Sequence, residues 1–259
     1  MADAGTDSLR RFHTTEDAKM SLVVLPHAGG AASYYFKLSE AMSKFVQVYV
    51  VQYPGRHDRR REPFATDIRT LAADIQADIA RRISGPVALF GHSMGAVVSY
   101  EIASGWPARS NASLTGLFAS SRVAPSVPFD IPDLRTTDQA IAEIQGLGGT
   151  DMRVLADREF FASAVEVMRQ DYGLLVRYQQ ELPRLHGHQI DVPIRALAPT
   201  SDRRAPIEQV MDWKLHTTAG FDLRTFDGGH FYINDRIDEV VDYVRESVSA
   251  EWSATGAQS

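Results

Sequence analysis

Ser93 stands in Gly91-His92-Ser93-Met94-Gly95, between the apolar run Val87-Ala88-Leu89-Phe90 and the stretch Ala96-Val97-Val98-Ser99-Tyr100-Glu101-Ile102. Gly-x-Ser-x-Gly at a strand-to-helix junction describes a nucleophile elbow, a turn too tight for flanking Cβ atoms that presents the hydroxyl to substrate. A serine hydroxyl is a weak nucleophile at neutral pH and needs a base. Imidazole titrates near that pH and fits the task. Among eight histidines, His230 in Asp227-Gly228-Gly229-His230-Phe231-Tyr232 follows a strand signal and precedes the last helix. That is the end of a parallel sheet at which ligands bind. His92 is expected to pack beside the elbow. His186 and His188 lack a nearby carboxylate cluster and read as loop residues rather than a metal pair.

A third group, a carboxylate, should hold the imidazole in its working tautomer and steady the imidazolium. Where a nucleophile elbow is used, the chain order is serine, acid, histidine. Asp202 follows the strand signal at 194–198 and fits that order. Asp191 precedes the same strand, at the wrong end of the sheet, and Asp227 is so near His230 that it would have to fold back. An oxyanion hole should complete the set. The backbone N–H of Met94, after the nucleophile, is one expected donor. That of Ala28, in Pro26-His27-Ala28-Gly29-Gly30, is the other. Together these groups describe acyl transfer to Ser93 followed by hydrolysis.

The elements that must position them alternate. Short buried strands are expected at Ser21–Leu25, 45–51, 87–90, 114–119, 194–198 and 223–226. Leu71, Ile75, Ile79 and Ile83 mark an amphipathic helix over 67–83, stopped by Gly85-Pro86. Asn234 is the expected cap of a last helix over 237–248. Such alternation predicts an α/β fold with a mostly parallel central sheet flanked by helices. The rhythm breaks at 122–187, where two helical patterns near 138–147 and 157–180 carry no strand between them. This segment is expected to be a helical lid inserted in a core formed by 20–121 and 188–250, with 1–19 and 251–259 as flexible tails.

The composition agrees with a globular protein large enough for a sizeable core: 259 residues, 44% hydrophobic and 23% charged. A net charge of −6 argues against general nucleic-acid binding. With no cysteine, thiolate zinc sites, disulfides and cysteine nucleophiles are excluded. Residues 1–19 lack the apolar core of a secretory signal, and no apolar run approaches the ~20 residues that span a bilayer. A soluble, cytoplasmic protein without membrane contact is expected.

Four segments carry a resemblance: Pro26-His27-Ala28-Gly29-Gly30, Gln52-Tyr53-Pro54-Gly55-Arg56, Gly91-His92-Ser93-Met94-Gly95 and Gly229-His230-Phe231-Tyr232. In this order, over roughly 20–248, the chain resembles stand-alone type II thioesterases of modular polyketide and nonribosomal-peptide synthases. The resemblance implies an α/β-hydrolase fold with a helical lid. By matching position, Ser93 would be the nucleophile, His230 the base, and the Ala28 and Met94 amides the oxyanion hole. Where the family commonly has a glycine-rich, doubly acidic turn, this chain has Ala198-Pro199-Thr200-Ser201-Asp202 with one acid. The implied substrate is an acyl group on the phosphopantetheine arm of an acyl or peptidyl carrier protein, and no separate cofactor or metal is expected. Carrier proteins are usually acidic, so the basic run with Arg59, Arg60 and Arg61 is a candidate carrier contact; the alternative is a solvated loop. A general carboxylesterase or lipase would use the same triad, and a non-catalytic synthase-binding protein would need none of it.

Overall fold

The computed structural model describes residues 7–132, 134, 136–147 and 158–256. Seven strands form one sheet in the order β1-β3-β2-β4-β5-β6-β7: β1 Leu9–Arg10, β2 Ser21–Leu25, β3 Gln47–Val51, β4 Gly85–His92, β5 Ala112–Ser120, β6 Ile194–Pro199 and β7 Phe221–Phe226. All neighbours pair in parallel except β1, which runs antiparallel to β3 with Leu9 opposite Val51. The helices are α1 Phe36–Met42, α2 Ile68–Arg82, α3 Met94–Ser104, α4 Thr137–Leu147, α5 Arg158–Gln179, α6 Leu182–Leu185, α7 Ile207–Val210 and α8 Ile237–Gly256.

The central strands are mostly apolar, as expected where helices cover both faces of a sheet. Side chains alternate between faces along each strand. Val23, Leu25, Leu89 and Leu117 point into one core with Ile75 and Ile79 of α2 and Val97 of α3. Leu22, Val24, Phe90 and Phe118 point into the other, with Met42 of α1 and Val240 and Val244 of α8. Each such fully buried aliphatic side chain contributes about 1.5–3 kcal/mol relative to exposure. The α/β fold expected from the alternating signals is the one found.

Several boundaries differ from the sequence expectation, each for a local reason. α2 ends at Arg82, ahead of Gly85-Pro86, and these two residues already belong to β4, Gly85 with φ 80°. Residues 8–10 are not a tail. Leu9 is buried, and the Ser8 amide and hydroxyl both donate to Asp78 of α2, at 2.7 and 2.6 Å. At the other end α8 continues to Gly256. Asn234 does not cap α8; it ends a 3-10 turn three residues earlier, and its amide donates to the Tyr34 hydroxyl at 2.6 Å. Asp67, by contrast, caps α2 by accepting the Thr70 amide at 2.7 Å. Within 122–187 the described residues form α4, α5 and α6 and no strand. Of these, α5 sends Met168, Tyr172, Leu174, Leu175 and Tyr178 into the core on the α2–α3 side.

Candidate active site

β4 ends at His92 and α3 begins at Met94, so the whole change of direction falls on Ser93. Ser93 adopts φ 55° and ψ −116°, a conformation that costs a non-glycine residue about 1–3 kcal/mol and persists only where its surroundings enforce it. The enforcement is visible. The Ser93 amide donates to the Ser120 carbonyl at the end of β5, at 2.8 Å. A Cβ on Gly91 would lie 2.2 Å from the Gly95 carbonyl oxygen, and one on Gly95 would lie 2.0 Å from the Leu25 carbonyl oxygen. The first turn of α3 therefore rests directly on the backbone at the end of β2.

Two loops bring the remaining groups to this turn. The loop after β6 and the loop after β7 are tied together by Thr200 N to Phe226 O and Ser201 N to Gly228 O, both 2.9 Å. His230 Nε2 then lies 3.0 Å from Ser93 Oγ, and His230 Nδ1 lies 2.7 Å from Asp202 Oδ2. The second oxygen of Asp202 accepts the Arg204 amide at 2.9 Å, and the His230 carbonyl accepts the Ser121 hydroxyl at 2.9 Å. A carboxylate on Nδ1 favours a proton there, which leaves the Nε2 lone pair facing the serine. Residues 137 and 28 positions apart in sequence thus form one hydrogen-bonded chain, a geometry suited to nucleophilic attack on an acyl carbon.

Two further histidines surround this chain. Burial, with His230 and then Arg56 nearby, lowers the pKa of His27 to about 3. Burial, together with His230 and His27, holds His92 well below the usual histidine range. Both stay neutral at neutral pH. His92 lies beside the elbow, its Nδ1 2.9 Å from the Ser120 hydroxyl, which in turn meets the Tyr232 hydroxyl at 2.9 Å. His188 is a partner of the Tyr100 hydroxyl, at 2.9 Å from its Nδ1. No group of three or more His, Cys, Asp or Glu able to hold a metal occurs among the described residues.

The loop 26–30 follows β2 beside the elbow. Ala28 lines the same cavity as Ser93 and His230. Met94 is the first residue of α3, where a helix leaves its N–H groups without intrahelical partners. What holds this loop was not apparent from the sequence. Asp171 of α5 accepts the Gly29 amide at 2.7 Å and a two-pronged contact from Arg56, at 2.7 and 2.6 Å. Arg56 also donates to the Gly30 carbonyl at 3.1 Å, and the Tyr53 hydroxyl donates to the Pro26 carbonyl at 3.0 Å. Both members of the ion pair are buried. The signal for Arg56 was present in Pro54-Gly55-Arg56, where Gly55 takes φ 81°. Nothing local marked Asp171.

The other arginines of that run behave differently. Arg59 donates to Glu62 at 2.8 and 2.6 Å and to the Gln52 carbonyl at 2.7 Å. Arg60 and Arg61 are exposed. None of the three lines the cavity, which has a volume of about 1250 Å³ and lies between the strand ends and α4 and α5. Its wall also includes Arg122, Phe129, Tyr172, Leu175 and Gln179. Among the described residues no helix is long and apolar enough to cross a membrane.

Comparison with known proteins gives a consistent picture. The thioesterase domain family matches residues 20–248. The chain is 38% identical over 254 residues to thioesterase PikA5 of Streptomyces venezuelae, covering 96% of this chain and 88% of that protein. It is 38% identical over 242 residues to phenyloxazoline synthase MbtB of Mycobacterium tuberculosis, covering 93% of this chain but only 17% of that much longer protein. The solved structure of BorB, a type II thioesterase from the borrelidin biosynthetic cluster, superposes with a TM-score of 0.81 at 34% identity, covering 92% of this chain and 96% of that one.

Proposed function

Because the chain belongs to the thioesterase family, a family of hydrolases, we propose that it releases acyl groups from the phosphopantetheine arm of acyl or peptidyl carrier proteins in polyketide or nonribosomal-peptide biosynthesis. The observation that carries the reading is the chain Ser93–His230–Asp202 at the wall of a large cavity. Two relatives support the choice of a carrier-borne thioester: BorB is a type II thioesterase from the borrelidin biosynthetic cluster, and the segment matched in MbtB belongs to a phenyloxazoline synthase.

The reaction runs through an acyl-enzyme. Ser93 Oγ attacks the thioester carbon while His230 Nε2 takes its proton. The resulting oxyanion is met by the amides of Ala28 and Met94, each such donor contributing on the order of 10²–10³ in rate. Collapse breaks the C–S bond, and the pantetheine sulfur leaves as a thiol with the proton from His230. Water then attacks the acyl-serine, again giving its proton to His230, and the free acid departs as Ser93 Oγ regains a proton. Asp202 orients His230 and steadies the imidazolium. Nucleophile, base and electrophilic amides all come from the chain, so the reading requires no cofactor beyond the arm carried by the substrate. The segment 122–187 acts as a lid over a core of 20–121 and 188–250. Arg60 and Arg61 face the acidic carrier, and the reaction takes place in the cytoplasm.

The test is hydrolysis of an acyl-carrier protein beside the matching oxygen ester, for wild type and Ser93→Ala. Carrier deacylation that requires Ser93 and outpaces the ester supports the reading. Ester turnover with an untouched carrier replaces it with a general esterase.

A further inference from the structure

Arg122 follows β5 by two residues, and its backbone is fixed on both sides. Ser121 donates to the His230 carbonyl at 2.9 Å, and the Arg122 carbonyl accepts the Trp213 indole N–H at 2.9 Å. The side chain lines the cavity that contains Ser93 and His230 and is only 8% exposed. Its guanidinium carbon lies 3.4 Å from the centroid of the Phe129 ring. Its Nε is buried with no hydrogen-bond partner.

The missing partner is the informative part. A buried guanidinium is normally matched by a carboxylate, because an unpaired charge taken out of water is costly even after the surroundings relax. Three carboxylates line this cavity: Asp130, Glu143 and Asp202, of which Asp130 is exposed and the other two are engaged elsewhere. Glu143 takes Arg204 and the Tyr172 hydroxyl, and Asp202 takes His230. No ion pair to Arg122 occurs among the described residues. Stacking on Phe129 offsets part of the cost but satisfies no N–H. Burial lowers the Arg122 pKa to about 9, so the group still carries its charge at neutral pH. A cation kept unpaired in the wall of a substrate cavity is a site for an acceptor that arrives with the substrate.

We propose that the Arg122 guanidinium receives an oxygen of the bound acyl chain, so that the site favours acyl groups bearing an oxo or carboxylate oxygen beyond the thioester carbon over saturated chains of equal length. The inference rests on the thioesterase reading above. The arginine acts on binding and orientation; the bonds made and broken at Ser93 are unchanged.

The experiment compares butanoyl-, 3-oxobutanoyl- and malonyl-pantetheine with wild type, Arg122→Met and Arg122→Lys. It measures kcat/KM for each, and calorimetric Kd for each in the Ser93→Ala background, with thermal melts to establish folding. A hydrogen bond to a charged donor corresponds to roughly 10–100-fold in binding. Arg122→Met is therefore expected to lose about 10–100-fold more on at least one oxygen-bearing chain than on butanoyl. Arg122→Lys, which keeps the cation without the fork, should fall between. Loss confined to malonyl identifies a carboxylate as the recognised group, and loss confined to 3-oxobutanoyl identifies an oxo group. Equal loss on all three chains in a folded variant, or no loss on any, overturns the proposal. If wild type releases none of the three acyl groups, either from pantetheine or from a carrier protein, the thioesterase reading fails. The Kd series then still decides whether Arg122 binds the oxygen.

Discussion

The Oδ2 atom of Asp171, on α5, lies 2.7 Å from the backbone nitrogen of Gly29, in the loop proposed to stabilise the oxyanion. The same carboxylate holds Arg56 through both its oxygens. The proposed lid and the proposed oxyanion loop are therefore joined by one side chain. Asp171→Ala removes the acceptor and strands a buried guanidinium, so a destabilisation of about 3–5 kcal/mol is expected in urea unfolding. Asp171→Asn keeps an acceptor for Gly29 but not the charge for Arg56. It should retain more turnover than alanine at similar or slightly higher stability. If Asp171→Ala leaves both turnover and the urea midpoint at wild-type values, the latch is ornamental.

The hydrogen-bonded chain through His230 predicts strong non-additivity. Ser93→Ala should reduce kcat by about 10⁶-fold, and His230→Ala by nearly as much. The double variant should be no slower than either single one, because the groups act as a unit. Asp202→Asn should reduce kcat by about 10³–10⁴-fold with the fold intact, by favouring the wrong tautomer. Single-turnover kinetics with an acyl-pantetheine read all four variants. Full activity of Asp202→Asn would reassign the acid.

Acid sensitivity has a definite sign. Folding holds the His27 pKa at about 3 against an ordinary value of 6.5. Below the ordinary value the unfolded chain binds a proton that the native chain refuses. His27 therefore makes stability fall as pH drops from 6.5 toward about 3, and adds no further loss below that. The slope is at most about 1.4 kcal/mol per pH unit per histidine. His92, shifted in the same direction, steepens the same limb. Urea midpoints measured at pH 7 and pH 5 should separate for wild type and draw closer in His27→Gln. Equal separation in both proteins would show that His27 is not responsible.

The basic run divides by burial. Arg60→Ala with Arg61→Ala should weaken turnover of an acyl-carrier protein by about tenfold at low salt, with the deficit shrinking as ionic strength rises. Turnover of a small acyl-pantetheine should change far less. Arg59→Ala breaks contacts to Glu62 and the Gln52 carbonyl, so its effect should be on stability and the same for both substrates. An equal deficit on carrier and small thioester in the Arg60/Arg61 variant argues against a carrier contact.

Legibility in the sequence followed the range of the interactions. The Ser93 elbow could be read because strand, tight turn and helix are written in consecutive residues, and its glycines answer to steric contacts within the same turn. The positions after β6 and β7 placed Asp202 and His230 at one sheet end through the general rule for parallel strands. Arg56 stands in the Pro54-Gly55-Arg56 segment, which marks the residue but not its burial. Its partner Asp171 is 115 residues away on a helix whose pattern shows only amphipathicity. Arg122 gave no signal, since its significance lies in a carboxylate that is not beside it. The two-residue β1 was illegible for another reason: it is too short for any alternation, and it exists because Leu9 and Ser8 find Val51 and Asp78.

The contact of Gly95 with the Leu25 carbonyl has an evolutionary reading. Ser93 and the loop 26–30 are spaced by main chain against main chain, with no side chain serving as the shim. Drift in the surrounding core can carry the two along together without changing the gap between them. Arg122, Phe129 and Gln179 in the cavity wall supply no part of that main-chain contact. Such an arrangement lets descendants of this chain exchange one acyl preference for another while the reacting geometry stays in register.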